Sequence, residues 1–90
     1  MTVEVQPIGG GFSLTATGYN VKGLQKADLE WQGATGTNVD IFRDGVKIAT
    51  TANDGFHTDD IDRRGSGSYG YRVCEENDAA ACSSPVTVTF

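Results

Sequence analysis

His57, Asp59, Asp60, Ser66 and Ser68 are the residues whose types could perform hydrolytic chemistry: an imidazole base, carboxylates to orient it, and hydroxyls to attack. Their spacing opposes it. In an extended segment His57 and Asp59 share one face while Asp60 takes the other, and no G-x-S-x-G turn supplies an oxyanion hole. No catalytic residue is assigned, and His57 reads as a half-buried aromatic on a sheet. Asp54, Asp59, Asp60 and Asp62 form the kind of acidic cluster that a hard cation such as Ca²⁺ takes. The D-x-D-x-D-G order with its closing glutamate is missing, however, and Arg63-Arg64 follows directly. Asp59, Asp60 and Asp62 are therefore only weak calcium candidates, charge pairing or solvation is the more economical reading, and no cofactor is expected. Arg64-Gly65-Ser66-Gly67-Ser68 has the glycines of a phosphate cradle, but a strand follows it rather than a helix, and the P-loop lysine is absent.

Cys74 and Cys82 flank the segment EENDAAA, expected to be the loop between the last two strands. Two cysteines cannot complete a tetrahedral zinc site, the spacing is not C-x-x-C, and His57 is distant in sequence. A disulfide across a hairpin is the better reading. It would stabilise the fold by about 2.5 kcal/mol through the unfolded chain, and it would imply an oxidising, extracytoplasmic location. For surface binding the candidates are Tyr19, Phe42 and Phe56, because exposed aromatic rings are what sugar polymers or proteins stack on. Phe42 is out of phase with Val39 and Ile41, Phe56 sits at a turn, and Tyr19 follows the first strand. Packing on a loop or on a neighbouring domain explains these positions equally well. No flat row of Trp or Tyr marks a dedicated carbohydrate site.

The elements that must position these residues are all strands. In NVDIFRDGVKIATT, residues 38–51, two alternating apolar and polar runs meet at Asp44-Gly45, the pattern of a β-hairpin. The same period of two recurs in KADLEWQ, SYGYRVCE and PVTVTF, and no amphipathic helix is written anywhere. Alternation turns Phe12, Leu14 and Ala16 inward in a first strand, Ala27, Leu29 and Trp31 in a second, and Val39 and Ile41 in a third. Val46 and Ile48 follow in a fourth, a short strand runs from His57 to Ile61, Tyr69, Tyr71 and Val73 form an inward row, and Val86, Val88 and Phe90 close the chain. Asn53-Asp54-Gly55 and residues 63–67 are the intervening turn and loop. The result is a β-sandwich of about seven antiparallel strands in two sheets. Residues 1–11, with Gly9-Gly10-Gly11, read as a linker or flexible arm, which could also add to a sheet edge through Val3–Gln6; residues 12–90 are the domain.

Ninety residues with 38% hydrophobic content make one domain around a single modest core. Twelve acidic against seven basic side chains give a formal charge of -5, which repels nucleic acid and anionic membrane surfaces and removes both from the expected partners. Met1-Thr2-Val3-Glu4 is not a basic and hydrophobic leader, so Met1 reads as the start of an excised segment.

The stretch from about Phe12 to Phe90 resembles fibronectin type III domains, in particular those appended to secreted bacterial hydrolases such as subtilisin-like serine proteases. The similarity lies in Leu14-Thr15-Ala16-Thr17-Gly18-Tyr19, the Trp31 of LEWQGATG, the hairpin VDIFRDGVKIATT, NDGFHTDDI, GSYGYRVCE, and Cys82 followed by VTVTF. The resemblance implies an immunoglobulin-like sandwich in which Trp31 anchors the core and Tyr69 makes a corner hydrogen bond. It departs from the pattern at His57, a position that is usually aromatic in this subfamily. Functionally it implies a non-catalytic, secreted, monomeric accessory domain beside a catalytic one, acting as a spacer or as an interdomain or protein interaction module. The alternative is a targeting module for an insoluble polysaccharide or structural protein; an autonomous enzyme stands only as a control.

Overall fold

The computed structural model describes residues 12–90 and the backbone of Thr2–Val3. The remainder of the 1–11 arm, including Gly9-Gly10-Gly11 and most of Val3–Gln6, lies outside the described residues. Nine strands follow in order: β1 (Thr2–Val3), β2 (Ser13–Val21), β3 (Leu24–Gln32), β4 (Asn38–Arg43), β5 (Val46–Ala52), β6 (Phe56–Asp60), β7 (Ser68–Glu75), β8 (Asp78–Cys82) and β9 (Val86–Thr89). They form two antiparallel sheets, β2-β3-β6 and β1-β9-β7-β4-β5, with β8 also paired to β7. The molecule is the all-β sandwich that the alternation predicts.

The core lies between the sheets and is built from the inward phase of each strand. Leu14 and Ala16 of β2, Ala27, Leu29 and Trp31 of β3, Val39 and Ile41 of β4, Tyr71 and Val73 of β7, and Val86 and Val88 of β9 are all buried. Each large apolar side chain removed from water contributes about 1.5–3 kcal/mol, which makes this core the main stabilising term. Gly18 continues the inward row of β2 without a side chain, and it has to. A Cβ there would overlap Val88 and lie 2.9 Å from Phe90 Cζ, so glycine lets the two sheets approach at this point.

The hairpin expected at Asp44-Gly45 is present. Both residues take left-handed backbone (φ 52° and 83°), as the twist of a two-residue turn requires, with Arg43 opposite Val46. The Asp44 amide donates to the Gly70 carbonyl and its Oδ1 accepts from the Gly70 amide, both at 2.8 Å, so the turn also clamps onto β7.

Four sequence expectations need correction. Val46 does not point into the core but is 64% exposed. It keeps the Arg43 partner that the two-residue turn sets, while a bulge between Ile41 and Phe42, farther along the hairpin, makes Ala49 rather than Ile48 the partner of Ile41. The segment EENDAAA is not a loop: it turns at Glu76-Asn77, with Asn77 left-handed (φ 58°), and pairs again from Asp78, which sets Cys74 directly opposite Cys82. The last strand is thereby split into β8 and β9. At the break the Ser83 amide donates to the Val73 carbonyl while Ser83 Oγ accepts from the Val73 amide, so a side chain completes the ladder. Tyr69, expected in the inward row, is only half-buried against the core, and its hydroxyl donates to the Gln25 side chain at 2.7 Å. Finally, the short strand after Gly55 spans Phe56–Asp60 and stops before the buried Ile61.

Candidate functional site

The residues that could do chemistry are distributed by strand phase, and phase separates them. On β6, His57 and Asp59 lie opposite Leu29 and Ala27, on the core side, whereas Asp60 lies opposite Lys26 on the outside. Asp59 is buried at the open edge of the sandwich. Its Oδ2 accepts from Arg43 Nη1 and from the Tyr71 hydroxyl, both at 2.6 Å, joining β6 of one sheet to β4 and β7 of the other. Burial, reinforced by the bond to Asp59, pushes the Tyr71 phenol well above its ordinary range. Burial alone would lower the Arg43 pKa, but the same carboxylate outweighs it and holds the guanidinium charged. Asp60 pairs with Lys26 at 2.6 Å and raises the lysine pKa. The three weak calcium candidates thus diverge: Asp59 inward, Asp60 outward, and Asp62 in a left-handed turn (φ 61°). Among the described residues no group of three metal-ligating side chains converges.

The Gly-rich loop of residues 63–67 is engaged in structure. The Gln25 amide donates to the Arg63 carbonyl, Gln25 Nε2 donates to the Gly65 carbonyl, both at 2.8 Å, and Gln25 is itself fully buried. At the opposite end of the sandwich Glu75 plays a similar part. Its two oxygens accept from the Thr35 and Gly36 amides at 2.8 and 2.9 Å, and these bonds, Thr35 first, hold its pKa below the usual carboxylate range. The Trp31 indole donates to Asn53 Oδ1 at 2.8 Å, which ties the core anchor to the β5–β6 turn. Sequence reading missed Gln25, Asp40 and Ser83 as buried polar residues, although Gln25 shares the inward phase of Ala27, Leu29 and Trp31.

The three aromatic candidates do not form one platform. Tyr19 and Phe56 lie on the outer face of the small sheet, but Tyr19 is in the row with Lys26 and Asp60 while Phe56 is in the row with Glu30. Four residues of strand, about 13 Å, separate those rows. The Tyr19 hydroxyl donates to Asp28 at 2.9 Å, a bond that raises the phenol pKa, and Thr58 donates to the same carboxylate at 2.8 Å. Phe56 is 45% exposed and lies opposite Glu30, which with Ser13, Thr15 and Asp54 lines a polar depression of about 480 Å³.

Phe42 is on the opposite side of the molecule, the outer face of the large sheet. There Lys47, Phe42 and Arg72 are cross-strand partners on β5, β4 and β7, with the Arg72 guanidinium 5.2 Å from the centre of the Phe42 ring. Next to this row Asp40 is buried under the β7–β8 hairpin, in register with Cys74, which is disulfide-bonded to Cys82. Desolvation would raise the Asp40 pKa, but the Thr50 hydroxyl at 2.6 Å, the Asn77 amide at 3.0 Å and the charge of Lys47 together bring it below the ordinary value.

Comparison with family models, with curated proteins and with solved structures gives no match to this chain. What the coordinates define is the class: a small disulfide-bonded all-β sandwich. The disulfide is compatible with an extracellular location, and no helix among the described residues is long and apolar enough to cross a membrane.

Proposed function

We propose that this domain is a non-catalytic accessory module of a secreted bacterial enzyme, of the fibronectin type III kind, serving as a spacer or an interdomain or protein interaction module. One observation carries the reading: the two carboxylates that could orient a catalytic base, Asp59 and Asp60, already serve as structural joints, as do other polar side chains. Asp59 joins the two sheets, Asp60 pairs with Lys26, Gln25 pins the Gly-rich loop, and Glu75 caps the β3–β4 loop. Among the described residues no buried side-chain nitrogen or oxygen lacks a partner. A scaffold of this kind holds its shape between neighbours and supports different functions through its surface.

Phe56 favours a second reading, since its exposed ring beside the polar depression could contact an insoluble polysaccharide or a structural protein. Co-sedimentation of the oxidised chain with chitin, cellulose and collagen separates the two. The accessory reading expects a monomer that stays in the supernatant and hydrolyses none of these materials. Saturable retention that Phe56→Ala abolishes would replace it with targeting, and turnover of any substrate would refute it.

A further inference from the structure

Two turns of this chain carry the pair Asp-Gly, at Asp44-Gly45 and at Asp54-Gly55. In such a pair the glycine nitrogen, unshielded by a side chain, is the nucleophile nearest the aspartyl carboxyl carbon, and a five-membered ring can close between them after rotation about the intervening bonds. The two turns hold the pair differently. Asp44 sits in a hairpin and is clamped to a third strand: its amide donates to the Gly70 carbonyl and its Oδ1 accepts from the Gly70 amide, both at 2.8 Å. Its backbone is left-handed (φ 52°), and the ψ of about +47° that goes with that conformation turns the next nitrogen nearly opposite Cβ. Asp54 lies between β5 and β6, is exposed, and has no left-handed φ. Its carboxylate accepts from the Phe56 amide at 3.1 Å, an Asx turn that folds the side chain back along the residues that follow it. Its own amide bonds two residues back, to the Ala52 carbonyl at 2.8 Å. Both bonds are local, and β6, which starts at Phe56, is an edge strand of the small sheet.

We propose that Asp54 is a site of self-modification, at which the chain isomerises to isoaspartate through a cyclic imide, and that Asp44, with the same two-residue signature, is protected by its clamp on β7. The inference does not depend on the accessory reading. The Gly55 nitrogen attacks Asp54 Cγ: the N–Cγ bond forms, one carboxyl C–O bond breaks, and the departing hydroxyl leaves as water with the amide proton. Water then opens the ring. Addition at Cγ breaks the new bond and restores aspartate, whereas addition at the main-chain carbonyl carbon breaks the original peptide bond and routes the main chain through Cβ. Neither an oxidant, a reductant nor a second substrate takes part. The isomer puts one more carbon into the main chain of the β5–β6 turn, and that turn holds both polar groups of Trp31. The Gly55 carbonyl accepts from the Trp31 amide at 3.1 Å, and Asn53 Oδ1 accepts from its indole at 2.8 Å. Isomerisation therefore loosens the grip on the core anchor, and because Trp31 is the only tryptophan of the sequence, its fluorescence reports the change.

The test incubates the oxidised 90-residue chain in H₂¹⁸O, folded and, in parallel, in concentrated guanidinium chloride. A mildly acidic buffer at about pH 5 keeps part of the aspartyl carboxyls neutral, the form whose hydroxyl leaves more readily. Each passage through the imide places one ¹⁸O in the residue, read by mass spectrometry after digestion in ordinary water, and isoaspartate peptides are separated by chromatography. In denaturant the two Asp-Gly pairs should label at similar rates, because only sequence acts there. In the folded chain Asp54 should label at least about tenfold faster than Asp44, and Trp31 emission should change in step with isoaspartate at position 54. Asp54→Glu keeps the carboxylate but needs a larger ring, so it should abolish labelling at the β5–β6 turn and hold the emission constant. Equal labelling of the two pairs in the folded chain, faster labelling of Asp44, or labelling of Asp54 no greater than that of Asp28, which precedes leucine, would each overturn the proposal. So would a difference that persists unchanged in denaturant, since sequence rather than the clamp would then explain it. None of these outcomes touches the accessory reading, which fails separately if the same sample turns over a substrate.

Discussion

The two outer faces of this sandwich handle charge in opposite ways. On the small sheet, Lys26 meets Asp60, and Asp28 accepts from both Tyr19 and Thr58, so the polar groups at its centre are satisfied within the face. On the large sheet, Lys47 and Arg72 flank Phe42 with no carboxylate of the described residues in ion-pair distance, while the nearby Asp40 is buried and bonded to Thr50 and Asn77. Both faces use the same alternation and the same residue types. The difference is one of register: on β3 and β6 opposite charges fall directly across from one another, whereas on β5, β4 and β7 two cations fall on either side of an aromatic ring. The small sheet gains a cross-strand ion pair from its register, whereas the large sheet sets its cations around an aromatic ring.

The strongest way to break the contrast is to remove the joint that holds the two faces back to back. Asp59→Ala leaves the Arg43 guanidinium and the Tyr71 hydroxyl without their shared acceptor and should cost about 3 kcal/mol in urea unfolding. A loss under about 1 kcal/mol would mean that the sheets are held by apolar packing alone. The double change Cys74→Ala/Cys82→Ala follows, at about 2.5 kcal/mol, or a fall of roughly 10–20 °C in Tm. It acts on the large sheet, so amide exchange should quicken in β7 and β8 and stay slow in β2 and β3. Acid and base should then act through different groups. The folded-state pKa values of Asp40 and Glu75 lie below 3.8 and 4.5, so the stability they add is present at neutral pH and is lost as pH falls below about 4. Tyr71 has the reverse sign. Its folded pKa is raised above 10.0, so its contribution is complete below pH 10 and fades above it, and Tyr71→Phe should flatten the alkaline limb of a Tm–pH profile.

Much of the fold was legible because it depends on local periodicity. Alternation found the core strands and the type of fold, Asp44-Gly45 announced its hairpin, and Cys74 and Cys82 announced their bond. What was not legible depends on pairing at long range. The bulge that makes Ala49 rather than Ile48 the partner of Ile41 leaves no mark in the local pattern, and the split of the last strand at Ser83 is set by a side chain that replaces a backbone acceptor. Phe42 could be placed on an outer face from its phase, but its neighbours Lys47 and Arg72 are chosen by register across two strand pairs. Asp59 was legible in phase and not in role, because nothing near it in the chain reveals Arg43 or Tyr71 across the sandwich.

The contrast between the faces is tested most directly by reversing one charge on each. Lys26→Glu and Arg72→Glu change the net charge equally, and each can be followed by thermal melting. Lys26→Glu should lower Tm, because it places a carboxylate against Asp60. Arg72→Glu breaks no ion pair among the described residues and should lower Tm less. If Arg72→Glu proved the more destabilising change, the contrast drawn between the two faces would be wrong.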